Sequence, residues 1–154
     1  MSVKKIVTKQ YRDIVNRAAH QLDGLIVPQE GWLRTVRNAL NMSGAQLARR
    51  MSVTRALISN TEKTELSGGV TLKSMQQMAE AMNCRFIYAI VPEHDIEDVV
   101  AARARAKATE QVKATTTHMA LEDQALSGEQ MEFEIDRLAK DMIEKMDSKL
   151  WNDG

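Results

Sequence analysis

The residues best suited to chemistry lie between Ser43 and Lys63. Thr54 stands as a cap before the helical run Arg55-Ala56-Leu57-Ile58-Ser59-Asn60-Thr61-Glu62. Leu57 and Ile58 are expected to anchor that helix, which leaves Thr54, Arg55, Ala56, Ser59, Asn60 and Lys63 facing outward. Such a set suits base edges. Arginine donates bidentately to guanine O6 and N7, asparagine bridges adenine N6 and N7, and the methyls of Ala56 and Thr54 fit thymine. Ser43, Ser59 and Lys63 suit phosphates, as do the backbone N–H groups around Gly44 and Ala45 at a helix start. A merely solvated polar face would carry the same residues, so geometry alone leaves the two readings level.

The elements around these residues must hold them still. A helix from Trp32 to Leu40 buries Leu33, Val36 and Leu40 and ends at Asn41. Ser43 opens a second helix with Gln46 three residues on as its capping-box partner, and Leu47, Ala48 and Met51 form its apolar face. Ser52 and Val53 make a short turn into the third helix. Small Ala48 permits close helix approach and Val53 plugs the turn, which is helix-turn-helix geometry.

Outside this stretch, residues 4–23 predict a helix with Val7, Tyr11, Ile14, Ala18 and Leu22 on one stripe, broken by the linker from Asp23 to Pro28. Arg85 to Val91 is dense in β-branched and aromatic residues and stops at Pro92. It reads as a lone strand, expected to pair antiparallel with its copy in a second subunit. Asp95 is expected to cap a helix that runs through the alanine-rich stretch to about Val112 and weakens at Thr115-Thr116-Thr117. Ser127 and Gln130 form a second capping box. It opens a helix with Met131, Ile135, Leu138, Met142, Met146 and Leu150 on one stripe, which could cover its own subunit, a second subunit or a partner.

Bulk properties narrow the classes. Residues 1–91 hold 13 Lys and Arg against 6 Asp and Glu, a net of +7, and residues 92–154 hold 8 against 15, a net of −7. A basic half suits a polyanion and leaves the acidic half another task. Cys84 is the single cysteine, which excludes an intrachain disulfide, and it is expected as a small buried thiol. His20, His94 and His118 are scattered, so neither a metal site nor a catalytic triad is expected. Gly68-Gly69 reads as a turn and no phosphate loop is present. The run Arg103-Ala104-Arg105-Ala106-Lys107 reads as a solvated helix face. No apolar stretch reaches bilayer length and the N-terminus lacks a signal pattern, so a cytoplasmic, non-enzymatic protein without cofactor is expected.

Two resemblances sharpen this. Ser43-Gly44-Ala45-Gln46-Leu47-Ala48, followed by the residues from Ser52 to Glu62, resembles the Xre/phage-repressor family. That resemblance implies an ion pair between Arg37 and Glu62. The family commonly has glutamine where this chain has Gly44, and glycine where it has Ser52. Over most of the chain, Gly31-Trp32-Leu33-Arg34, Ala39-Leu40-Asn41-Met42-Ser43-Gly44, Val70-Thr71-Leu72-Lys73-Ser74, Cys84 to Pro92 and His118 to Leu126 look like the mobile mystery protein A family. Genes of that family typically stand beside one for a Fic-domain protein, so the resemblance implies an antitoxin-like regulator. Inhibitory Fic partners often carry a Ser/Thr-x-x-x-Glu-Gly/Asn helix, and no such string occurs here.

The expectation is therefore an all-α fold. A segment 1–30 holds the N-terminal helix and linker. A five-helix repressor-like core with the strand spans 31–92, and an acidic helical region spans 93–154. The expected function is sequence-specific DNA binding to a palindromic operator by a homodimer. The alternative is a protein that neutralises a Fic-domain partner through its C-terminal helices.

Overall fold

A computed structural model describes residues 2–121, 126–146 and 148–153. The described residues form seven α-helices and a 3-10 turn: α1 (Val3–Gln21), α2 (Trp32–Ala39), α3 (Gly44–Met51), α4 (Arg55–Ser67), α5 (Leu72–Ala81), α6 (Ile96–Ala120), α7 (Gly128–Lys145) and the turn Ser148–Trp151. The fold is all-α. The chain divides into two compact units, one of residues 24–89 and one of residues 1–23 with 90–154. The first and last parts of the sequence thus build one unit together.

In the unit of residues 24–89, four helices pack around Leu33, Leu47, Ala48, Ile58, Met75, Met78 and Met82. Unbranched methionines fill the irregular space that short crossing helices leave. Caps set the boundaries: Ser43, Thr54 and Thr71 each accept a hydrogen bond from a backbone N–H in the first turn of their helix. Asn41 and Ser52 take left-handed φ values of 56° after α2 and α3. Four helices stand where five were expected, and α5 is closed by Asn83 in a left-handed conformation (φ 58°). Leu40, expected in the core, is 48% exposed because α2 ends one residue before it.

The other unit is built on small residues. Ala104, Ala108 and Val112 of α6 are buried against Ile135 and Ala139 of α7 and Leu150 of the 3-10 turn. Alanine lets two helix backbones approach closely. The stripe from Met131 to Leu150 therefore covers its own subunit: Met131, Leu138 and Met142 pack against the same cluster. Helix α6 runs unbroken through Thr115-Thr116-Thr117, where weakening was expected, since packing overrides the modest propensity cost of threonine. The expectation for His118 to Leu126 falls partly on residues 122–125, outside the described residues.

Asp95 precedes α6 without capping it by its side chain. The cap comes from α1: Asn16 Oδ1 accepts from Ile96 N (2.9 Å), and Asn16 Nδ2 donates to Glu97 (2.8 Å). Asp95 instead meets His20 Nε2 at 3.1 Å.

The segment Arg85–Val91 is not a strand. No strand occurs among the described residues, and this segment has no regular secondary structure. A strand requires a neighbour to complete its hydrogen bonds, and nothing within the described chain supplies one. Phe86 packs on the core, whereas Ile87, Tyr88 and Ile90 are exposed. Cys84 is exposed rather than buried. No helix among the described residues is long and apolar enough to cross a membrane.

Candidate nucleic-acid interface

The turn between α3 and α4 places the candidate residues. At the start of α3, Ser43 Oγ accepts from Gln46 N (3.1 Å) while Ser43 N donates to Gln46 Oε1 (2.8 Å), completing the capping box. At its end, Ser52 adopts φ 56° and ψ 43°, a conformation that glycine enters more readily. Val53 N then donates to Ala48 O (2.9 Å), and half-buried Val53 packs on the core as expected for a turn plug. Thr54 Oγ1 accepts from Leu57 N (3.1 Å) and starts α4.

Two carboxylates on α4 lock that helix to α2. Glu62 accepts from Arg37 Nε (2.9 Å) and from Nη2 at 2.7 and 3.1 Å, and Arg37 Nη1 donates to Met42 O (3.0 Å). The side chains are 15% and 10% exposed, so this is a nearly buried pair with its donors satisfied. One turn further, Glu65 accepts from Trp32 N (2.6 Å) and Leu33 N (2.9 Å), filling the open N-terminus of α2. The chain enters α2 through Gly31 at φ 85° and ψ 162°, a region essentially confined to glycine. A Cβ there would stand 2.9 Å from Glu65 Oε1. Local sequence pattern gave no sign of the Glu65 cap, because its two partners lie more than thirty residues away.

The structure gathers Ser43, Gly44, Arg55, Ser59 and Lys63 around one depression, whereas Thr54, Ala56 and Asn60 do not line it. Ser43, Thr54, Arg55, Ala56, Ser59, Asn60 and Lys63 are all exposed, and Gly44 is half-buried at the first position of α3. A depression of about 560 Å³ is lined by Arg34, Ser43, Gly44, Arg55, Ser59 and Lys63 among others. Arg34, Arg55 and Lys63 form no ion pair among the described residues. Arg34 was not singled out from the sequence. Its position three residues before Arg37, hence on the same helix face, is the signal that would have found it. Leu57 departs from expectation: Ile58 alone reaches the core (2% exposed), and Leu57 is 48% exposed on the outward side. Helix α4 also runs to Ser67, five residues past Glu62, which gives Glu65 its place.

Other residues that carry charge or nucleophilicity are occupied otherwise. Arg103 donates to Leu150 O (2.7 Å) and to Asp153 (2.9 Å), and Arg105 donates to Glu132 (2.6 Å) and Asp136 (2.7 Å). The run 103–107 is thus tied to α7 and the chain end rather than simply solvated. The hydrogen bond to Glu132, then that to Asp136, holds the Arg105 guanidinium above its ordinary pKa. Arg137 lowers the pKa of Glu134 in the same way. The described residues contain no group of three or more His, Cys, Asp or Glu placed to hold a metal ion. Among known proteins, no family model matches the chain, and no curated protein or solved structure matches it.

Proposed function

We propose that this chain is a sequence-specific DNA-binding regulator of the repressor-like helix-turn-helix kind, with α4 as its recognition helix. One observation carries the reading. Six exposed polar or small side chains, Thr54, Arg55, Ala56, Ser59, Asn60 and Lys63, stand at the cap and along a helix clamped at its far end by Glu62 and Glu65. A recognition helix must be rigid where it is anchored and open where it reads, because base contacts depend on side-chain register. Arg55 and Asn60 suit guanine and adenine; Thr54, Ala56 and exposed Leu57 suit thymine methyls. Ser43, Ser59, Lys63 and the amides near Gly44 suit phosphates, and Arg34 joins them in the same depression. Residues 24–89, the unit that holds α4, carry eight Lys and Arg against four Glu, a basic balance that favours the polyanion.

Two copies would bring two such helices to major grooves about one helical turn (~34 Å) apart on a palindromic operator, and would exclude polymerase from a promoter. The resemblance to the mobile mystery protein A family supports an antitoxin-like role beside a Fic-domain protein. The alternative, neutralisation of that partner by the C-terminal helices, has lost one motive, since the Met131–Leu150 stripe is covered by α6.

The test is competitive binding to the chain's own upstream DNA against a scrambled duplex, over a salt series. Specific binding that falls steeply with salt is expected. Arg55→Ala should weaken it by about 1–3 kcal/mol and relax preference at one base position. Equal, weak binding to both duplexes sinks the reading.

A further inference from the structure

The stretch that leads out of the unit of residues 24–89 has the backbone and side chains of a strand but no neighbour. Residues 84–92 contain no helix, turn or bend, and none of them has a positive φ. Phe86 and Tyr88, two residues apart, stack their rings at 5.8 Å, as neighbours on one side of an extended backbone do. No backbone hydrogen bond joins residues 85–93 to any other described residue. Ile87, Tyr88, Ile90 and Val91 are exposed, Ile90 at 92%. A row of open N–H and C=O groups beside large apolar side chains is a template for pairing.

The two ends of the stretch show which neighbour fits. Arg85 and Glu93 are exposed, and neither forms an ion pair among the described residues. Two copies paired antiparallel about a two-fold axis at Ala89 set Arg85 of each opposite Glu93 of the other. An axis at Tyr88 sets Arg85 opposite Val91 instead. One at Ile90 sets it opposite Asp95, which already meets His20. With the axis at Ala89, Ile87 faces Val91, Tyr88 faces Ile90, and Phe86 faces Pro92. Proline has no N–H, so it belongs at a position outside the hydrogen bonding. The alternation of an antiparallel ladder then assigns the bonding to Ile87, Ala89 and Val91, whose N–H groups are all open. Phe86 packs on the core of its own unit, which gives the ribbon the support that two strands alone lack.

We propose that residues 85–93 are the dimer surface of this protein: two copies pair as a two-stranded antiparallel ribbon centred on Ala89 and closed at both ends by Arg85–Glu93 pairs. The ladder forms between chains, so one chain alone has the extended segment without the strand. This names how the regulator proposed above self-associates and rests on that reading only for the dimer.

Sedimentation equilibrium on the full chain without DNA tests it, for wild type, Arg85→Glu, Glu93→Arg and the double change. Both side chains are exposed within one chain, so the variants should keep the fold, with circular dichroism to check helicity. A wild-type dimer is expected. Each single change sets like charges opposite at both ends and should raise the dissociation constant about tenfold, and the double change should restore most of the affinity. Cysteine oxidation reads the register. Ala89 meets its own copy at the axis, within disulfide reach, so Ala89→Cys in a Cys84→Ser background should join two chains. In the wild type the two Cys84 residues stand about 30 Å apart along the ladder and should not join. A monomeric wild type overturns the proposal. So do single changes without effect, a double change that rescues nothing, or joining through Cys84 but not through position 89. A dimer that meets these expectations yet ignores its upstream DNA leaves the ribbon standing and removes the regulator reading.

Discussion

The two units solve the problem of holding helices together by opposite means. In residues 24–89, short helices pack through a core mostly of Leu, Ile and Met side chains, and carboxylates are drawn inward to complete it: Glu62 on Arg37 and Glu65 on the α2 N-terminus. In the other unit, long helices lie close along an alanine seam, and its carboxylates stay outside in exposed pairs such as Arg105–Glu132. The lesson is that an acidic residue's worth depends on its surroundings. A nearly buried pair is costly to break, while an exposed one contributes little.

Amide hydrogen exchange, read unit by unit, can break this comparison. The largest effect is expected for Glu62→Ala, which strands the Arg37 guanidinium: about 3–5 kcal/mol lost, with faster exchange in α2 and α4 and none of it in α6 and α7. Equal acceleration in both units would mean that they do not stand apart. Ala108→Leu should do the reverse, since a fully buried seam has no space for the added methyl groups. A loss of about 1–3 kcal/mol confined to α6 and α7 is expected, and a neutral result would show a looser seam. Gly31→Ala forces a side chain into a glycine-only conformation beside Glu65; roughly 1–3 kcal/mol should be lost, with the fastest exchange at the start of α2. The smallest effect is expected from acid. Lys5 holds the Glu144 carboxyl below its ordinary range through a hydrogen bond. A carboxyl depressed in the folded state stabilises at neutral pH, and that stability fades as pH falls through the lowered value. Both groups are exposed enough for solvent screening, so a Lys5→Met variant should flatten the acid limb of a pH titration only slightly.

What the sequence disclosed follows the same division between local and distant. The boxes Ser43–Gln46 and Ser127–Gln130 and the Thr54 cap span three residues, and the structure contains all three. The Arg37–Glu62 pair came from family likeness and is present at 2.7 Å. The Glu65 and Asn16 caps bridge elements far apart in sequence, and no local pattern encodes them. Arg85–Val91 takes no regular structure for a related reason: a strand needs a neighbour, the neighbour expected was a second copy, and the single chain offers none. Leu57 shows the limit of periodicity, since hydrophobic type alone could not say which of two adjacent residues faces inward.

The polar fastening of α1 also imposes an order of events during synthesis. Its bonding partners follow 75 to 142 residues later in the chain, from Asp95 to Met146. Translation proceeds from the N-terminus, so α1 emerges first and waits, its apolar stripe exposed, while residues 24–89 are made and can fold inside the open loop. That folding draws the loop's ends together and lowers the entropy cost of the final closure. A ribosome stalled before Asp95 would therefore display α1 with none of these fastenings made.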